Sequence, residues 1–280
     1  LLFVDEKAVG VLEAKREDTT LSGVEIQATK YSDGLPKKYQ VPIRPLPFVY
    51  LSTGARTEFF NRLDPFPRSR EVLAPHRPET LAEWLRAEPL ASGDSLPSTL
   101  RGRLRQMPPP QGLGLWPHQQ QAIASLEDSL AHDRPRALVQ MATGSGKSKM
   151  AVAAAYRLIK FAQARRVLFL VDRTNLGEQM EAEFHGYRSY DDNKKFIELY
   201  GVQRLTSEHV GAATKVVICT IQRLYSLLTG QPLADEDEQL LSSAPDEERD
   251  GPPVEVGYSA SVPPEHFDFI VVDECHRSIY

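Results

Sequence analysis

The sequence has few of the residues that build extracellular or membrane-bound proteins. Only two cysteines occur among 280 residues, Cys219 and Cys275, which is too few for a disulfide framework or a zinc site. No run of about 18 apolar residues is present, so no transmembrane helix is predicted. The first residues lack the basic start and the apolar stretch of a secretory signal peptide. We therefore expect a cytoplasmic protein.

The sequence also lacks the positive charge that is typical of proteins that bind a polyanion, because its formal net charge is −5. The negative charge is concentrated in the segment from Asp235 to Glu265, which carries ten acidic residues and one arginine. The remainder of the chain has a net charge of +4. Proline, serine and glycine are frequent in the same segment, so we expect residues 231–265 to form a mobile acidic insertion. An acidic strip that keeps DNA away from one face is the alternative interpretation.

The amino-terminal part predicts a small mixed domain over residues 1–75. Strands are predicted at Leu1–Val4 and Ala8–Ala14, joined by the turn Asp5-Glu6-Lys7, and a third strand at Phe48–Ser52. A helix is predicted near Val24–Tyr31. Residues 76–112 have linker composition and contain one short predicted helix at Glu79–Arg86.

The region 113–280 alternates predicted helices with apolar strands, at Ala137–Met141, Val167–Val171, Val216–Thr220 and Phe267–Val272. This alternation predicts an α/β domain with a parallel sheet and helices on both faces. The chain begins inside an apolar run and stops seven residues after Asp273. Neither position is typical of a domain boundary, so we expect a piece of a longer protein.

The segment Gln140-Met-Ala-Thr-Gly-Ser-Gly-Lys-Ser148 predicts a phosphate site, because a glycine-containing loop separates an apolar run from a predicted helix. Glycines let backbone N–H groups converge on a β-phosphate, and the helix N-terminus adds positive potential there. Lys147 can then reach the β- and γ-phosphates, and the Ser148 hydroxyl can ligate Mg²⁺. Met141 stands where the general P-loop pattern has its first glycine, and the form present here is the one common in superfamily 2 helicases. The predicted ATP-binding residues of this loop are Thr143, Gly144, Ser145, Gly146, Lys147 and Ser148.

A second motif, Phe267-Asp-Phe-Ile-Val-Val-Asp-Glu-Cys-His276, places two acids at the end of an apolar strand. With a P-loop on an adjacent strand, Asp273 would hold Mg²⁺ through water and Glu274 would polarise the attacking water. His276 resembles the helicase residue that couples the γ-phosphate to the nucleic acid. Together with the P-loop, this motif predicts an ATP site.

Three further segments resemble helicase motifs. Leu115-Trp-Pro-His-Gln-Gln-Gln-Ala-Ile123 is similar to the Q motif, and the resemblance implies that Gln119 hydrogen-bonds adenine. Segments that begin at Val171 and Thr220 resemble motifs Ia and Ib, which contact the phosphates of one DNA strand at the carboxyl ends of the sheet strands. The implied DNA-binding residues are Arg173, Thr174, Thr220 and Arg223. For each of them, an ordinary capping or loop residue is the alternative interpretation.

The amino-terminal part contains elements that resemble a nuclease. Glu13 and Lys15 are two residues apart in a predicted strand, so both side chains face the same way and, with a further acid, could bind a divalent ion. They resemble the E-x-K half of PD-(D/E)-x-K nucleases. Gln27 and Tyr31 are four residues apart, on one face of the predicted helix, and match the Q-x-x-x-Y element of some helicase-linked nucleases. The resemblance implies catalytic roles for these four residues, with Glu13 as a metal ligand.

The order of these motifs resembles the restriction subunit (HsdR type) of type I restriction–modification enzymes over essentially the whole chain. The resemblance implies the carboxyl-terminal part of a nuclease domain followed by the first RecA-like motor domain. One departure is that the nuclease family has a metal-binding Asp at the start of the strand before E-x-K, which here would precede Leu1. Asp5 falls in the hairpin turn at the far end of that strand, so we do not expect it to substitute, and we do not expect this chain to cut DNA.

The resemblance implies an ATP- and Mg²⁺-dependent translocase and endonuclease that acts on double-stranded DNA, in complex with methyltransferase and specificity subunits. Because a motor of this class takes an arginine from a second RecA-like domain, we expect this chain to bind ATP and to hydrolyse it poorly. Three alternatives remain open. They are a helicase with an inactive nuclease-like domain, a non-catalytic nucleotide-binding module, and, less favoured by the motifs, a metabolic P-loop kinase.

Overall fold

The computed structural model describes residues 1–17, 35–36, 38–86, 99–207, 209–243 and 258–275. The chain divides into two compact units, Leu1–Arg105 and Gln106–Tyr280. The helix predicted near Val24–Tyr31 and the residues Gln27, Tyr31 and His276 lie outside the described residues. Within the described part of the chain, no helix combines the length and the apolar character needed to cross a membrane.

The described residues of the first unit form a five-stranded mixed sheet and two short helices. Its elements are β1 (Leu2–Val4), β2 (Lys7–Ala14), β3 (Phe48–Ser52), β4 (Thr57–Asn61), β5 (Arg70–Val72), α1 (Pro78–Leu85) and α2 (Leu100–Leu104). The strands lie in chain order, and all neighbours are antiparallel except β2 and β3, which are parallel. The three strands predicted in this part are therefore present, whereas β4 and β5 were not predicted.

Apolar residues cover both faces of this sheet, because strand side chains alternate between the faces. Phe48, Tyr50 and Phe59 pack on one face, and Leu81 of α1 joins them there. The opposite face buries a smaller group that contains Val49 and Phe60. Because α1 contributes to this core, part of the segment that was predicted as a linker over residues 76–112 packs within the first unit.

The second unit is an α/β domain built on a four-stranded sheet. Its helices are α3 (Pro117–Ala131), α4 (Lys147–Phe161), α5 (Thr174–Gly186), α6 (Phe196–Leu199), α7 (Ile221–Thr229) and α8 (Asp235–Ser243). Its strands are β6 (Val167–Val171), β7 (Gly201–Arg204), β8 (Thr214–Thr220) and β9 (Phe269–Val272), and a short 3₁₀ helix covers Pro264–His266. The strands lie in the order β7-β8-β6-β9 and all neighbours are parallel.

Helices pack on both faces of the parallel sheet, as the alternating sequence predicted. On one face the ring of Phe169 in β6 lies 5.1 Å from the ring of Phe184 in α5. On the other face Leu168 and Val217 pack against Leu227 of α7. Because all strands are parallel, the loops that follow β6, β8 and β9 meet at one edge of the sheet, where open α/β sheets bind ligands.

The strand predicted at Ala137–Met141 is not formed, and this prediction was wrong. The segment has no regular secondary structure, and the Leu138 side chain is 78% exposed. A strand here would pair with the free edge of β9, where Ile270 is also exposed. Within the described residues no further strand lies beyond that position. A strand at Ala137–Met141 would therefore be an apolar edge strand with one unpaired side. The segment lines a cavity of about 340 Å³ between β9 and α4.

The prediction that residues 231–265 form a mobile loop was wrong in part. Asp235–Ser243 is the helix α8, and Glu238 within it is buried. Four acids fill its first turn, where the helix dipole favours negative charge. Val262, near the end of the same segment, is also buried in the core of the second unit. Residues 244–257 lie outside the described residues.

Candidate nucleotide-binding site

The loop before α4 has the backbone of a phosphate-binding turn. Gly144 and Gly146 have φ values of 78° and 76°, in the left-handed region that L side chains rarely adopt. Gly146 is the N-cap of α4, and a Cβ atom placed on it would lie 2.2 Å from Nε2 of Gln119. Both glycines are therefore required by the shape of this loop.

Two side chains of α3 hold the loop carbonyls. The Gln119 amide donates to the carbonyl oxygens of Ser145 and Gly146, each at 3.0 Å, and Nε2 of His118 lies 3.0 Å from the Ser145 oxygen. In a trans peptide the C=O and the following N–H point in opposite directions. The N–H groups of Gly146 and Lys147 are therefore directed away from α3, as a phosphate cradle requires.

The two acids that follow β9 lie next to this loop. The Asp273 N–H continues the ladder by donating to Leu170 at 2.9 Å, and Glu274 then turns the chain with a φ of 49°. The turn places Oε1 of Glu274 3.6 Å from Nζ of Lys147. Lys147, Ser148 and Asp273 also line one cavity. A lysine, a hydroxyl and two carboxylates are the groups that a magnesium–triphosphate needs.

Buried charges fix α4 relative to α3. The Arg157 side chain is fully buried and donates to both carboxylate oxygens of Glu127 in α3, at 2.6 and 2.9 Å. Burial acts to lower the pKa of Arg157, but the bonds to Glu127 outweigh it and raise that pKa above its ordinary value. Lys160, one turn later, donates to Asp191 at 2.7 Å. The Arg157–Glu127 pair therefore joins the two helices that flank the loop, whereas Lys160 joins α4 to the segment after α5.

Gln119 is positioned differently from a free adenine ligand. It is 3% exposed, its amide N–H groups bind the loop, and its oxygen accepts from the Trp116 N–H at 3.0 Å. In this conformation it therefore joins the start of α3 to the P-loop. Its predicted contact with adenine stays a prediction, because the side chain would first have to release the loop.

The four predicted DNA-binding residues fall into two groups. Arg173 is the N-cap residue of α5 and lies half exposed beside Asp172, and Thr174 lines a cavity of about 160 Å³ at the same sheet edge. Thr220 and Arg223 are each 2% exposed. Both side chains are covered by α8 in this structure, whereas contact with DNA requires exposed side chains. Their contact with DNA therefore stays a prediction.

Two functional contacts were missed from the sequence. His118 stands directly before Gln119, and its place in the Q-motif-like segment was an available signal for its contact with the loop. Glu238 gave no such signal, because it lies among four consecutive acids that are typical of a solvated surface. Its carboxylate accepts from the Thr220 hydroxyl at 2.5 Å and from Nε of Arg223 at 2.9 Å.

The nuclease-like residues are only partly assembled. Glu13 and Lys15 lie at the end of β2, as predicted, and their side chains form an ion pair with each other. Asp5 lies in the turn before β2, so the length of this eight-residue strand separates it from Glu13 by roughly 25 Å. Within the described residues, no group of three His, Cys, Asp or Glu side chains could hold a metal ion.

Comparison with known proteins identifies a family for the part of the chain that contains the phosphate loop and the acids after β9. The family model described as "Type III restriction enzyme, res subunit" matches residues 112–280, which is more than half of the chain. The EcoKI endonuclease subunit, a type I restriction enzyme of Escherichia coli (strain K12), is 31% identical over 202 residues, which cover 72% of this chain and 14% of that protein. The EcoAI type I endonuclease subunit of Escherichia coli is 28% identical over 162 residues, 57% of this chain and 15% of that protein.

A solved structure, assigned as a fragment of an HsdR subunit from Vibrio vulnificus YJ016, aligns with 96% of this chain and 39% of that one. The TM-score of this alignment is 0.35 and the sequence identity is 19%. This chain spans about one seventh of the length of the two curated relatives. The resemblance to type I restriction subunits that the motif order indicated is confirmed by these relatives. The chain belongs to the family whose model is described as the res subunit of type III restriction enzymes.

Proposed function

We propose that this chain is the ATP-binding part of a DNA-translocating restriction subunit. The observation that carries the proposal is the 3.6 Å approach between Lys147 and Glu274 beside a loop with two left-handed glycines. Magnesium, when bound with ATP, would supply charge neutralisation at the β- and γ-phosphates. Ser148 and Asp273 are the residues that would hold it.

The remaining roles follow from the positions of the side chains. Lys147 is one-third exposed, so its ammonium can exchange Glu274 for a phosphate oxygen at little cost. The loop N–H groups of Gly146 and Lys147 would bind the β-phosphate. Glu274, once released from Lys147, would accept a proton from the attacking water. His276, outside the described residues, keeps its predicted role of coupling the γ-phosphate to nucleic acid.

The full activity extends beyond this chain. We propose that the longer protein translocates double-stranded DNA with ATP and Mg²⁺, and cleaves it as a type I site-specific deoxyribonuclease. Its partners would be methyltransferase and specificity subunits. The similarity to two type I endonuclease subunits supports this assignment. The cytoplasm is the expected location of such a complex.

A second candidate is a superfamily 2 helicase with an inactive nuclease-like domain. The ion pair between Glu13 and Lys15 favours it, because the Glu13 carboxylate is neutralised by its own strand. Cleavage by the full-length protein with Mg²⁺ or Mn²⁺ separates the two candidates. The nuclease proposal expects Glu13→Ala and Lys15→Ala each to abolish cleavage while ATP hydrolysis continues, and unchanged cleavage by both variants would contradict it.

ATP binding is tested with a matched pair of lysines on α4. Lys147→Ala is expected to weaken Mg²⁺–ATP binding by roughly 100-fold, because a charge-assisted phosphate contact is lost. Lys149→Ala removes the same charge from an exposed position two residues later and is expected to change the affinity by less than about threefold. Titration of each chain with a fluorescent ATP analogue measures both constants. Equal losses in the two variants would contradict the proposed site.

A further inference from the structure

The surface formed by Thr220 and Arg223 already holds an anionic group. Thr220 is the N-cap of α7 and its hydroxyl accepts from the Arg223 N–H at 3.1 Å. The same hydroxyl donates to one oxygen of Glu238, and Nε of Arg223 donates to the other. Nη2 of Arg223 also donates to Asp235 at 2.7 Å. A hydroxyl and a guanidinium at a helix N-terminus thus bind carboxylates from α8, in the manner in which such groups bind phosphate.

The first turn of the helix that supplies these carboxylates contacts Arg223 through charged side chains. Among residues 235–239, whose side chains the structure describes, only Glu238 is buried, and Asp235 is 70% exposed. Arg223 also donates to the Leu233 carbonyl at 2.7 Å, in the loop that leads into α8. The first turn of α8 therefore docks through ion pairs and hydrogen bonds that a competing polyanion could replace.

α8 lies at the part of the sheet edge where DNA contacts were predicted. Asp235 and Glu238 line the 160 Å³ cavity together with Thr174 and Thr220, at the carboxyl ends of β6 and β8. Cys219 lies in the same wall and is 3% exposed. Burial, and then the nearby Glu238 carboxylate, raise the pKa of the Cys219 thiol to about 12. The acidic helix thus closes the part of the sheet edge to which the motif resemblance assigned DNA contacts.

We infer that α8 is an autoinhibitory cover, in which Glu238 and Asp235 occupy the positions of two DNA backbone phosphates on Thr220 and Arg223. DNA binds this surface only after α8 has left. The apparent affinity for DNA is therefore the affinity of the open conformation multiplied by the fraction of molecules that are open. The inference rests on the proposed function, because it takes DNA as the ligand of this surface. It accounts for a run of acids inside a chain that is otherwise positively charged.

A charge-matched pair of variants tests the inference. Asp235→Asn/Glu238→Gln removes the two carboxylates that contact Arg223, whereas Glu236→Gln/Asp237→Asn removes two exposed carboxylates from the same turn. Both variants gain the same charge, so their general attraction to DNA is equal. We expect the first to bind duplex DNA roughly tenfold more tightly than the second at the same ionic strength. Circular dichroism melting verifies that each variant is folded.

Thiol labelling keeps the test independent of those substitutions. In a Cys275→Ser chain with native α8, Cys219 reports the opening of the cover. High salt without DNA weakens the ion pairs that hold the first turn of α8 and is expected to raise the alkylation rate of Cys219 roughly tenfold. Unchanged labelling at high salt would overturn the inference.

The two proposals fail in distinguishable ways. Equal DNA affinity of the two charge-matched variants would overturn the cover and leave the motor assignment intact. Binding of DNA by none of the chains, with Mg²⁺–ATP affinity retained, would overturn both the cover and the DNA-binding surface while the nucleotide site remains. Loss of ATP binding alone would contradict the nucleotide site and not α8.

Discussion

Two positions on one sheet edge hold their charged side chains in opposite ways. After β9, Lys147 and Glu274 are 3.6 Å apart and each is about one-third exposed. After β8, the side chains of Arg223 and Glu238 are 2% and 9% exposed. An exposed pair contributes little stability and exchanges partners readily, whereas a buried pair is expensive to break. The nucleotide site can therefore accept a ligand directly, while the second surface must first lose a helix.

The largest predicted effect is on the free energy of unfolding, when the buried Arg223 or the half-exposed Arg173 is replaced. Arg223→Ala leaves Glu238 buried without its cation and is expected to lower the free energy of unfolding by about 3–5 kcal/mol. Arg173→Ala removes a half-exposed arginine that faces Asp172 and is expected to cost less than about 1 kcal/mol. Urea unfolding of both variants measures the difference. Similar values would remove the distinction between a buried and an exposed charge at this edge.

The two cysteines lie next to the same two positions, so their reactivities can be compared in the same way. Cys275 follows Glu274 and is partly exposed, whereas Cys219 is buried in the apolar core with Leu227 of α7, and this burial raises its pKa to about 12. The raised pKa keeps Cys219 as the protonated, unreactive thiol. Its contribution to the free energy of unfolding is fully present below about pH 8.5, the pKa of a cysteine in the unfolded chain, and declines as the pH rises toward 12. We expect iodoacetamide at pH 8 to label Cys275 at least about 100-fold faster. Mass spectrometry of timed samples measures both rates, and equal rates would show that Cys219 is accessible in the folded chain.

The smallest predicted effect concerns the contact between α3 and the phosphate loop. Gln119→Ala removes both amide donors from the Ser145 and Gly146 carbonyls, and we expect Mg²⁺–ATP affinity to fall roughly tenfold, since one or two hydrogen bonds order the loop. Gln121→Ala changes an exposed glutamine in the same helix and serves as the control. A tighter affinity in Gln119→Ala would instead mean that the contact holds the loop in a conformation that excludes nucleotide.

Local patterns predicted much of this arrangement. The apolar runs Phe48–Ser52 and Val167–Val171 coincide with β3 and β6, because a buried strand needs continuous or alternating apolar residues. The glycines at 144 and 146 predicted a loop of this geometry, because few other structures require glycine at both positions. The acid after an apolar run predicted that Asp273 lies at a strand end. The short strands β4, β5 and β7 have mixed composition and gave no comparable signal.

The remaining features depend on tertiary contacts that single segments do not encode. Ala137–Met141 has the composition of a strand, but a strand exists only where a neighbour pairs with it, and here the segment is unpaired. Arg223 and Glu238 are 15 residues apart and look like ordinary surface charges, because burial of an ion pair is decided by packing. For the same reason, α8 was not predicted within the acidic segment.

We propose that the glycine loop and the acids after β9 form one magnesium–triphosphate site. A crystal structure of the chain with Mg²⁺ and a non-hydrolysable ATP analogue tests this proposal. We expect the β-phosphate against the N–H groups of Gly146 and Lys147, with Mg²⁺ about 2.1 Å from the Ser148 hydroxyl and the γ-phosphate between Lys147 and Glu274. A nucleotide bound elsewhere, or a triphosphate that leaves Lys147 paired with Glu274, would contradict it.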